Sequence, residues 1–297
     1  MIKNFEQLKE MLRSMPVKRR VAVTPAQDEH TLEAICHAYR DGLVEPVLIG
    51  DEPAVRQILG TLGVSTEGMT IIHEKDPLAS IQKAADMARA DEVDCIMKGK
   101  TETGPLMKIL VNKQTGIRRN DTMSLLAFME SPNYHKVFAI TDVGLLTYPT
   151  KEQKKAAIVN AVEAFHALGI EMPKVAVIAA VEKVNSKMKE TVEAAEIKAE
   201  GVEGCIIEGP ISYDLAMDPE SAPLKGYVSP VAGDADILVM PDIVSGNVAA
   251  KTITVIGGGR TGGVVLGAKV PVLLVSRAAS ADDKYMSIVL AALVGRK

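Results

Sequence analysis

A hydroxyl, a guanidinium and a carboxylate lie close together near the C-terminal end of the sequence. The apolar run of residues 270–275 has the pattern of a buried strand, and it stops at Ser276 and Arg277. Asp282 and Asp283 follow at the start of an apolar helical pattern that continues to Leu293. In α/β proteins, ligands bind outside the carboxyl ends of the strands. Ser276, Arg277 and the two carboxylates therefore lie where chemistry would be placed.

Three further segments place polar residues where a predicted strand ends, at residues 97–103, 208–214 and 240–247. Helix N-termini that follow such strands bind anions through their free N–H groups. Asp242 or Ser245 would also serve as an ordinary N-cap, so one such segment alone decides little. Together with the cationic side chains nearby, the segments predict an anionic substrate. The candidate substrate-binding residues are Lys98, Thr103, Lys108, Asp242, Ser245, Gly246, Asn247 and Lys251.

Two glycine-rich patterns resemble nucleotide-binding loops but lack the context that those loops need. Gly99-Lys100-Thr101 resembles the end of a Walker A loop, yet Asp94 stands where that loop requires its first glycine. Residues 257–262 match GxGxxG, but a dinucleotide fingerprint must follow a strand and open a helix. No evident helix follows, so we expect a mobile loop there. A nicotinamide-dependent dehydrogenase is therefore kept only as an alternative function.

Metal and thiol chemistry are not indicated by the sequence. The five histidines show no HxxxH or HExxH spacing, and the carboxylates form no obvious ligand cluster, so no metal site is predicted. The cysteines are isolated, and Cys95 and Cys205 lie within buried-strand patterns, which favours a packing role. Isolated cysteines are typical of a cytoplasmic protein with reduced thiols.

Length and composition predict a soluble protein with two domains of ordinary size or one large domain. The chain has 297 residues, of which 47% are apolar and 3% aromatic, so the core must be aliphatic, as in buried parallel strands. The net charge of −4 carries no long block of either sign, which argues against a nucleic-acid partner. No apolar run approaches the about 18 residues of a membrane helix, and the charged, helical N-terminus does not resemble a signal peptide.

Short apolar runs alternate with amphipathic stretches throughout the chain, which predicts an α/β fold with a mostly parallel sheet covered by helices on both faces. Thr150 with Gln153 forms a capping box that opens a helix ending at Gly169. The turn-rich residues 142–149 indicate a crossing between domains, and the C-terminal helix could return to the first domain. We therefore predict one domain of residues 1–143 plus 268–297, and a second of residues 144–267. Strands are predicted at residues 20–23, 46–48, 70–72, 95–97, 137–140, 175–179, 205–207, 237–240 and 270–275.

Taken together, short motifs spread over most of the chain resemble the phosphate acetyltransferase and phosphate butyryltransferase family, and the butyryl branch most closely. The motifs gain their specificity from their order and spacing. They are Met97-Lys98-Gly99, Thr141-Asp142, Tyr148-Pro149, Val181-Glu182, Gly209-Pro210, Lys225-Gly226, Val231-Ala232-Gly233, Ala235-Asp236-Ile237, Met240-Pro241-Asp242, Gly246-Asn247-Val248, and Ser276-Arg277 with Asp283.

The resemblance implies two α/β/α domains around an interdomain cleft, as in isocitrate and isopropylmalate dehydrogenases, and a homodimer or a higher homo-oligomer. It implies reversible transfer of a short-chain acyl group, butyryl above all, between coenzyme A and inorganic phosphate. The partners would be acyl-CoA, phosphate and acyl phosphate, with no separate cofactor. It also implies that Asp283 is the base for the CoA thiol, that Arg277 binds phosphate or acyl phosphate, and that Ser276 stabilises the oxyanion.

Three positions depart from the pattern of the family. Lys108 stands where the family commonly has Arg, Leu146 where it often has Asn, and Glu208 where it often has Asp. Lys108 offers a point charge in place of a planar fork for a phosphate of CoA. These changes keep open a non-enzymatic alternative, a CoA- or acyl-phosphate-binding protein that has lost catalysis. Helix capping with dipole pairing is the purely structural interpretation of Ser276 and Asp283.

Overall fold

The computed structural model of the chain describes residues 1–275 and 279–295. Two of the three candidate catalytic residues, Ser276 and Arg277, lie outside the described residues. The third, Asp283, lies within them.

Helices and strands alternate along most of the chain, as the sequence predicts. The helices are α1 (Phe5–Arg13), α2 (Glu29–Arg40), α3 (Glu52–Thr61), α4 (Pro77–Arg89), α5 (Thr103–Leu110), α6 (Lys151–Ala167), α7 (Lys189–Glu200), α8 (Tyr213–Met217), α9 (Ser221–Lys225), α10 (Ile243–Val255) and α11 (Ala281–Val294). The strands are β1 (Arg19–Thr24), β2 (Val44–Gly50), β3 (Thr70–His73), β4 (Cys95–Lys98), β5 (Ser124–Glu130), β6 (Phe138–Thr141), β7 (Lys174–Ile178), β8 (Ile206–Ile211), β9 (Ile237–Val239), β10 (Arg260–Leu266) and β11 (Val272–Leu273).

The chain forms two compact units. The central unit comprises Met1–Asn4 and Thr122–Thr261, and the flanking unit comprises Phe5–Asp121 with the residues from Gly262 onwards. The predicted boundaries at 143/144 and 267/268 therefore differ from the observed ones at 121/122 and 261/262. The reason is strand pairing: β5 pairs with β6, and β6 pairs with β9, so residues 124–141 belong with the strands that follow them.

In the flanking unit the strand order is β3-β2-β1-β4-β11-β10. The first five strands are parallel, and β10 runs antiparallel to β11. Thus β4 and β11, which precede the two predicted site segments of this unit, are hydrogen-bonded neighbours with Val272 opposite Ile96. Their carboxyl ends lie at the same edge of the sheet, about 4.8 Å apart in the hydrogen-bonding direction.

In the central unit the strand order is β5-β6-β9-β7-β8. All of these strands are parallel except β5, which runs antiparallel to β6. A buried aliphatic cluster that includes Ile140, Ala176 and Leu238 fills the core, and α10 packs beside it through Ala249 and Ile253. The segments after β6, β7, β8 and β9 therefore lie at one edge of the sheet, which is where α/β proteins bind ligands.

These findings confirm the predicted α/β class with mostly parallel strands and correct two details. The loop expected at residues 257–262 ends at Gly259, because strand β10 begins at Arg260. The glycines follow helix α10 and lead into that strand, which is the reverse of a dinucleotide fingerprint. Strand β5 was not predicted. No helix among the described residues is long and apolar enough to cross a membrane.

Candidate active site

Asp283 lies in the first turn of α11, in a capping box with Ser280. The Ser280 hydroxyl accepts a hydrogen bond from the Asp283 N–H at 3.0 Å, and Asp283 Oδ2 accepts one from the Ser280 N–H at 3.2 Å. The capping interpretation is therefore realised for Asp283, with Ser280 as the N-cap.

The first turn of α11 is attached to the strand beside it. Ser287 Oγ donates to the Asp283 carbonyl at 2.7 Å and accepts from the Gly263 N–H of β10 at 2.9 Å. Gly262 permits this close packing, because a Cβ there would lie 2.5 Å from Leu290 Cδ1. The position of Asp283 is thus fixed by the helix cap and by the contact of α11 with β10.

The segment after β4 supplies the other predicted residues of the flanking unit. Lys98 is buried, and its ammonium group donates to the Thr101 carbonyl at 3.0 Å. Gly99 is required here, because a Cβ would lie 2.0 Å from the Pro25 carbonyl oxygen. Thr103 and Lys108, in α5, are both exposed. The exposed start of α5 and the exposed Lys108 are groups of the kind that bind anions.

The start of α10 carries the predicted residues of the central unit. Asp242 and Ser245 form a capping box, in which Asp242 Oδ1 accepts from the Ser245 N–H at 2.9 Å. Asn247 donates from its side-chain amide to the Val143 carbonyl at 3.0 Å. Gly246 is buried against the Asp142 carbonyl oxygen, which would lie 2.4 Å from a Cβ at this position. These residues therefore hold the segment after β6 against the start of the helix, and Lys251 is exposed one turn further along.

Asp142 is a buried carboxylate that the sequence predictions left out of the site. It is 4% exposed and accepts hydrogen bonds from the N–H groups of Leu125, Gly144 and Leu145 at 2.7–2.8 Å. Burial raises the pKa of Asp142, and the N–H donors oppose that shift. The signal in the sequence is a carboxylate placed directly after the apolar run that forms β6.

The predicted residues that the structure describes follow the carboxyl ends of strands, some in each unit. In the flanking unit, Lys98 and α5 follow β4, and Asp283 follows the neighbouring strand β11. In the central unit, the start of α10 joins the segment after β6. Glu208 does not follow a strand end, because it is buried within β8, where it accepts from the Lys198 ammonium and from the Gly209 N–H.

The described residues contain no group of three or more His, Cys, Asp or Glu side chains that could hold a metal ion. Cys36 and Cys95 are buried, and Cys205 is partly buried. Burial raises the pKa of the Cys36 and Cys205 thiols to about 11 and that of Cys95 as well. A thiol with a raised pKa is a poor nucleophile at neutral pH, which agrees with the predicted packing role.

Residues 77–292 match the protein family described as Phosphate acetyl/butaryl transferase. The chain is 38% identical to a phosphate butyryltransferase of Clostridium acetobutylicum, over 99% of each chain. It is 39% identical to a phosphate acetyltransferase of Thermotoga maritima, over 97% of this chain and 99% of the relative.

The fold is also similar to that of a solved phosphotransacylase structure. A branched-chain phosphotransacylase from Enterococcus faecalis V583 superposes with a TM-score of 0.83 at 29% identity, over 93% of this chain and 98% of that protein. The likeness thus extends over nearly all of both proteins, in sequence and in fold.

Proposed function

Because this chain belongs to the family of phosphate acetyl- and butyryltransferases, as predicted from its motifs, we propose that it is a phosphate acyltransferase of the butyryl type. It transfers a short-chain acyl group reversibly between coenzyme A and inorganic phosphate and needs no separate cofactor. The observation that carries the acyltransferase activity is the nearly full-length identity of 38–39% with a phosphate butyryltransferase and a phosphate acetyltransferase, and the butyryl preference rests on the resemblance of the motifs to the butyryl branch. We further propose a homodimer in the cytoplasm, as the resemblance and the isolated cysteines favour.

In the direction that consumes acyl phosphate, Asp283 takes the proton of the CoA thiol. The thiol has a pKa of about 8.5 and is mostly protonated at neutral pH, so a positioned carboxylate raises the fraction of thiolate. The thiolate sulfur attacks the acyl carbon, and the negative charge moves to the carbonyl oxygen, which the Ser276 hydroxyl stabilises. The bond from the acyl carbon to the phosphate oxygen then breaks, and phosphate leaves with the electron pair.

In the opposite direction, Arg277 orients inorganic phosphate for attack on the thioester. A guanidinium binds two phosphate oxygens at once, which holds a poor nucleophile in the reactive orientation. The thiolate leaves, and Asp283 returns the proton to it. Lys108, at the exposed face of α5, binds a phosphate of CoA, while Lys98, Thr103 and the residues at the start of α10 contribute to substrate binding.

The first experiment measures the release of free CoA thiol from acetyl-, propionyl- and butyryl-CoA, with and without phosphate and without added metal. We expect release that requires phosphate, fastest with butyryl-CoA. A faster reaction with acetyl-CoA would contradict the butyryl assignment and keep the acyltransferase. Absence of release from every thioester, with CoA still bound, would overturn the proposal in favour of the binding protein that has lost catalysis.

Variants of the candidate catalytic residues test their roles. Ser276→Ala should lower kcat by about 10²–10³, the usual effect of losing one oxyanion donor. Asp283→Asn should lower the rate of the thiol-consuming direction by about 10²–10⁴, and Arg277→Ala should cripple turnover without unfolding the protein. Asp282→Asn is the matched control, because it changes the neighbouring exposed carboxylate. Equal kinetics for the Asp283 and Asp282 variants would remove Asp283 from the mechanism.

A further inference from the structure

A cavity of ≈ 450 Å³ opens at the amino edge of the sheet in the flanking unit. Strands β1, β2 and β4 are parallel neighbours, so their amino ends lie side by side at this edge. The cavity is lined where these strands begin, by Arg19 and Arg20, Glu45 and Asp94, and by residues 16–18 before β1. Its volume lies within the range of about 300–1,000 Å³ that is usual for small-molecule sites.

This cavity is separate from the candidate active site. Lys98 lies at the carboxyl end of β4, whereas Asp94 directly precedes the amino end of the same strand. Strand residues rise about 3.3 Å each, so the two residues are about 13 Å apart along the sheet. The mechanism proposed above uses the carboxyl edge, where α/β proteins bind their ligands, and gives the cavity at the amino edge no role.

The cation that distinguishes the cavity is Arg19, the first residue of β1. It is 8% exposed, and its Nε has no hydrogen-bond partner among the described residues. The carboxylate of Asp94 is engaged by Arg20 instead, because its Oδ2 accepts from the Arg20 backbone N–H at 2.7 Å and from Arg20 Nε at 3.2 Å. A guanidinium does not lose its proton in a protein, and a buried charge without a counter-charge is costly. Arg19 therefore presents an uncompensated positive charge at the cavity.

The other charges around the cavity do not neutralise Arg19. Lys18 is a second cation, which is exposed, and Glu45 is an exposed carboxylate. With the ion pair of Arg20 and Asp94, three cations and two carboxylates line the cavity, which leaves one net positive charge. A ligand with a single negative charge would balance this charge, whereas a second negative charge on the ligand would be repelled by the two carboxylates.

Pro16 and Val17 give the cavity an apolar side. Both residues are exposed, Val17 by 67%. A carboxylate group alone occupies only a small part of a cavity of ≈ 450 Å³, so room remains for an aliphatic chain beside these two side chains. Ligand sites commonly combine such apolar surface with a few polar groups that fix the orientation of the ligand.

We propose that this cavity binds an aliphatic monocarboxylate, at a site distinct from the active site. The guanidinium of Arg19 donates hydrogen bonds to the carboxylate, Lys18 supplies the second cation, and the aliphatic chain lies against Pro16 and Val17. Hydrogen bonds between a guanidinium and a carboxylate are charge-assisted, and burial of the guanidinium strengthens them. The inference goes beyond the proposed function, because it does not require that the protein transfer an acyl group.

Calorimetric titration with sodium hexanoate tests the inference. The wild-type protein should bind hexanoate, and saturating CoA should not displace it, because the cavity and the candidate active site lie at opposite edges. Hexanamide has the same chain without the charge, and inorganic phosphate has a charge without the chain. Each should displace hexanoate only at concentrations at least about tenfold higher than hexanoate itself. No binding of hexanoate, its displacement by CoA, or equal competition by hexanamide or phosphate would overturn the inference.

Variants of the lining connect the binding to this cavity. Arg19→Gln should weaken hexanoate binding at least about tenfold, the effect of losing a hydrogen bond to a charged group. Because Arg19 is buried, a second variant spares the core: Val17→Asp adds a negative charge at an exposed position and should weaken binding by a similar factor. Arg13→Gln is the matched control, because Arg13 is an exposed arginine of α1 that pairs with Glu10. Unchanged binding in Val17→Asp or in folded Arg19→Gln, or equal weakening in Arg13→Gln, would overturn the inference.

Discussion

At the amino ends of β6, β7 and β9 a buried lysine pairs with two carboxylates, whereas at the carboxyl ends of these strands the charged groups bond to the backbone or form ion pairs that are partly exposed. Lys136 at the amino edge lies 2.8 Å from Asp234 and 2.7 Å from Asp236, and its side chain is 6% exposed. His135 and Lys174 complete that cluster through Asp234. The charged groups of this cluster thus form ion pairs with one another.

The carboxyl edge of the same sheet is arranged differently. Asp142 accepts hydrogen bonds from three backbone N–H groups, Lys225 pairs with Asp214 and Glu182 but keeps a 45% exposed side chain, and Val228 is 97% exposed. Buried ion pairs stabilise one conformation, whereas charged groups that are partly exposed remain accessible to a ligand. The comparison therefore predicts that changes at the amino edge lower stability and that changes at the carboxyl edge lower activity.

The largest effect on stability is expected from Lys136→Ala. The change leaves Asp236, whose side chain is 8% exposed, buried without the cation that pairs with it. Removal of one partner of a buried ion pair costs about 3–5 kcal/mol. Urea unfolding should show this loss, while kcat/KM of the folded protein should remain near that of the wild type. An intact unfolding free energy with reduced kcat/KM would reverse the roles of the two edges.

The dependence of stability on pH should differ in sign between the carboxylates of the two edges. The cations around Asp234 hold its pKa well below the usual range, whereas burial raises the pKa of Asp142. Below about pH 4 the unfolded chain binds a proton at Asp234 that the folded protein does not, so stability falls on acidification. Above about pH 4 the folded protein binds a proton at Asp142 that the unfolded chain does not, so stability rises on acidification in that range.

Urea unfolding between pH 3 and pH 7 tests this difference in sign. Asp234→Asn should remove part of the loss of stability at the acid end, and Asp142→Asn should remove part of the rise above it. Each variant serves as the control for the other. The same change of slope in both variants would show that the two edges do not differ electrostatically.

The sequence predicts most of the fold because the buried strands are continuous aliphatic runs. Residues 20–23 and 95–97 illustrate this, since they became β1 and β4 with one or two residues added. Strand β5 escaped prediction because its Leu, Ala, Met and Glu residues are good helix formers, and pairing with β6 overrides that propensity. Strand β10 was hidden by Gly262 and Gly263, and Gly262 is needed for the close contact with α11.

The sequence predicts the location of the candidate site but not the role of each residue in it. The carboxyl ends of the strands follow from the apolar runs, so the segments that carry Lys98, Asp242 and Asp283 could be found from sequence. Helix capping and ligand binding use the same residue types, so Asp242 and Ser245 could serve either role as far as the sequence shows. A cavity in the central unit is lined by residues 181–186, Leu215, Lys225 and Tyr227, and no local sequence pattern predicts it because its walls come from separate segments of the chain.

A smaller effect, on both stability and activity, is expected from Gly246→Ala at the carboxyl edge. The added Cβ would lie 2.4 Å from the Asp142 carbonyl oxygen, so the segment after β6 must move away from α10. Such overpacking costs about 1–3 kcal/mol, and kcat/KM should fall because the start of α10 is displaced. Gly60→Ala is the control: no atom lies within 4 Å of its Cβ, and it should gain about 0.5–1 kcal/mol.

The smallest difference is expected between two capping boxes of the central unit. Asp242 caps α10 and Thr150 caps α6, each with a reciprocal side-chain bond to its N3 residue. Replacement of either by Ala should cost about 1 kcal/mol in urea unfolding. Asp242→Ala should also raise KM for acyl-CoA, whereas Thr150→Ala should leave the kinetics unchanged. Identical kinetics in both variants would reduce the start of α10 to a helix cap and move substrate binding elsewhere on this edge.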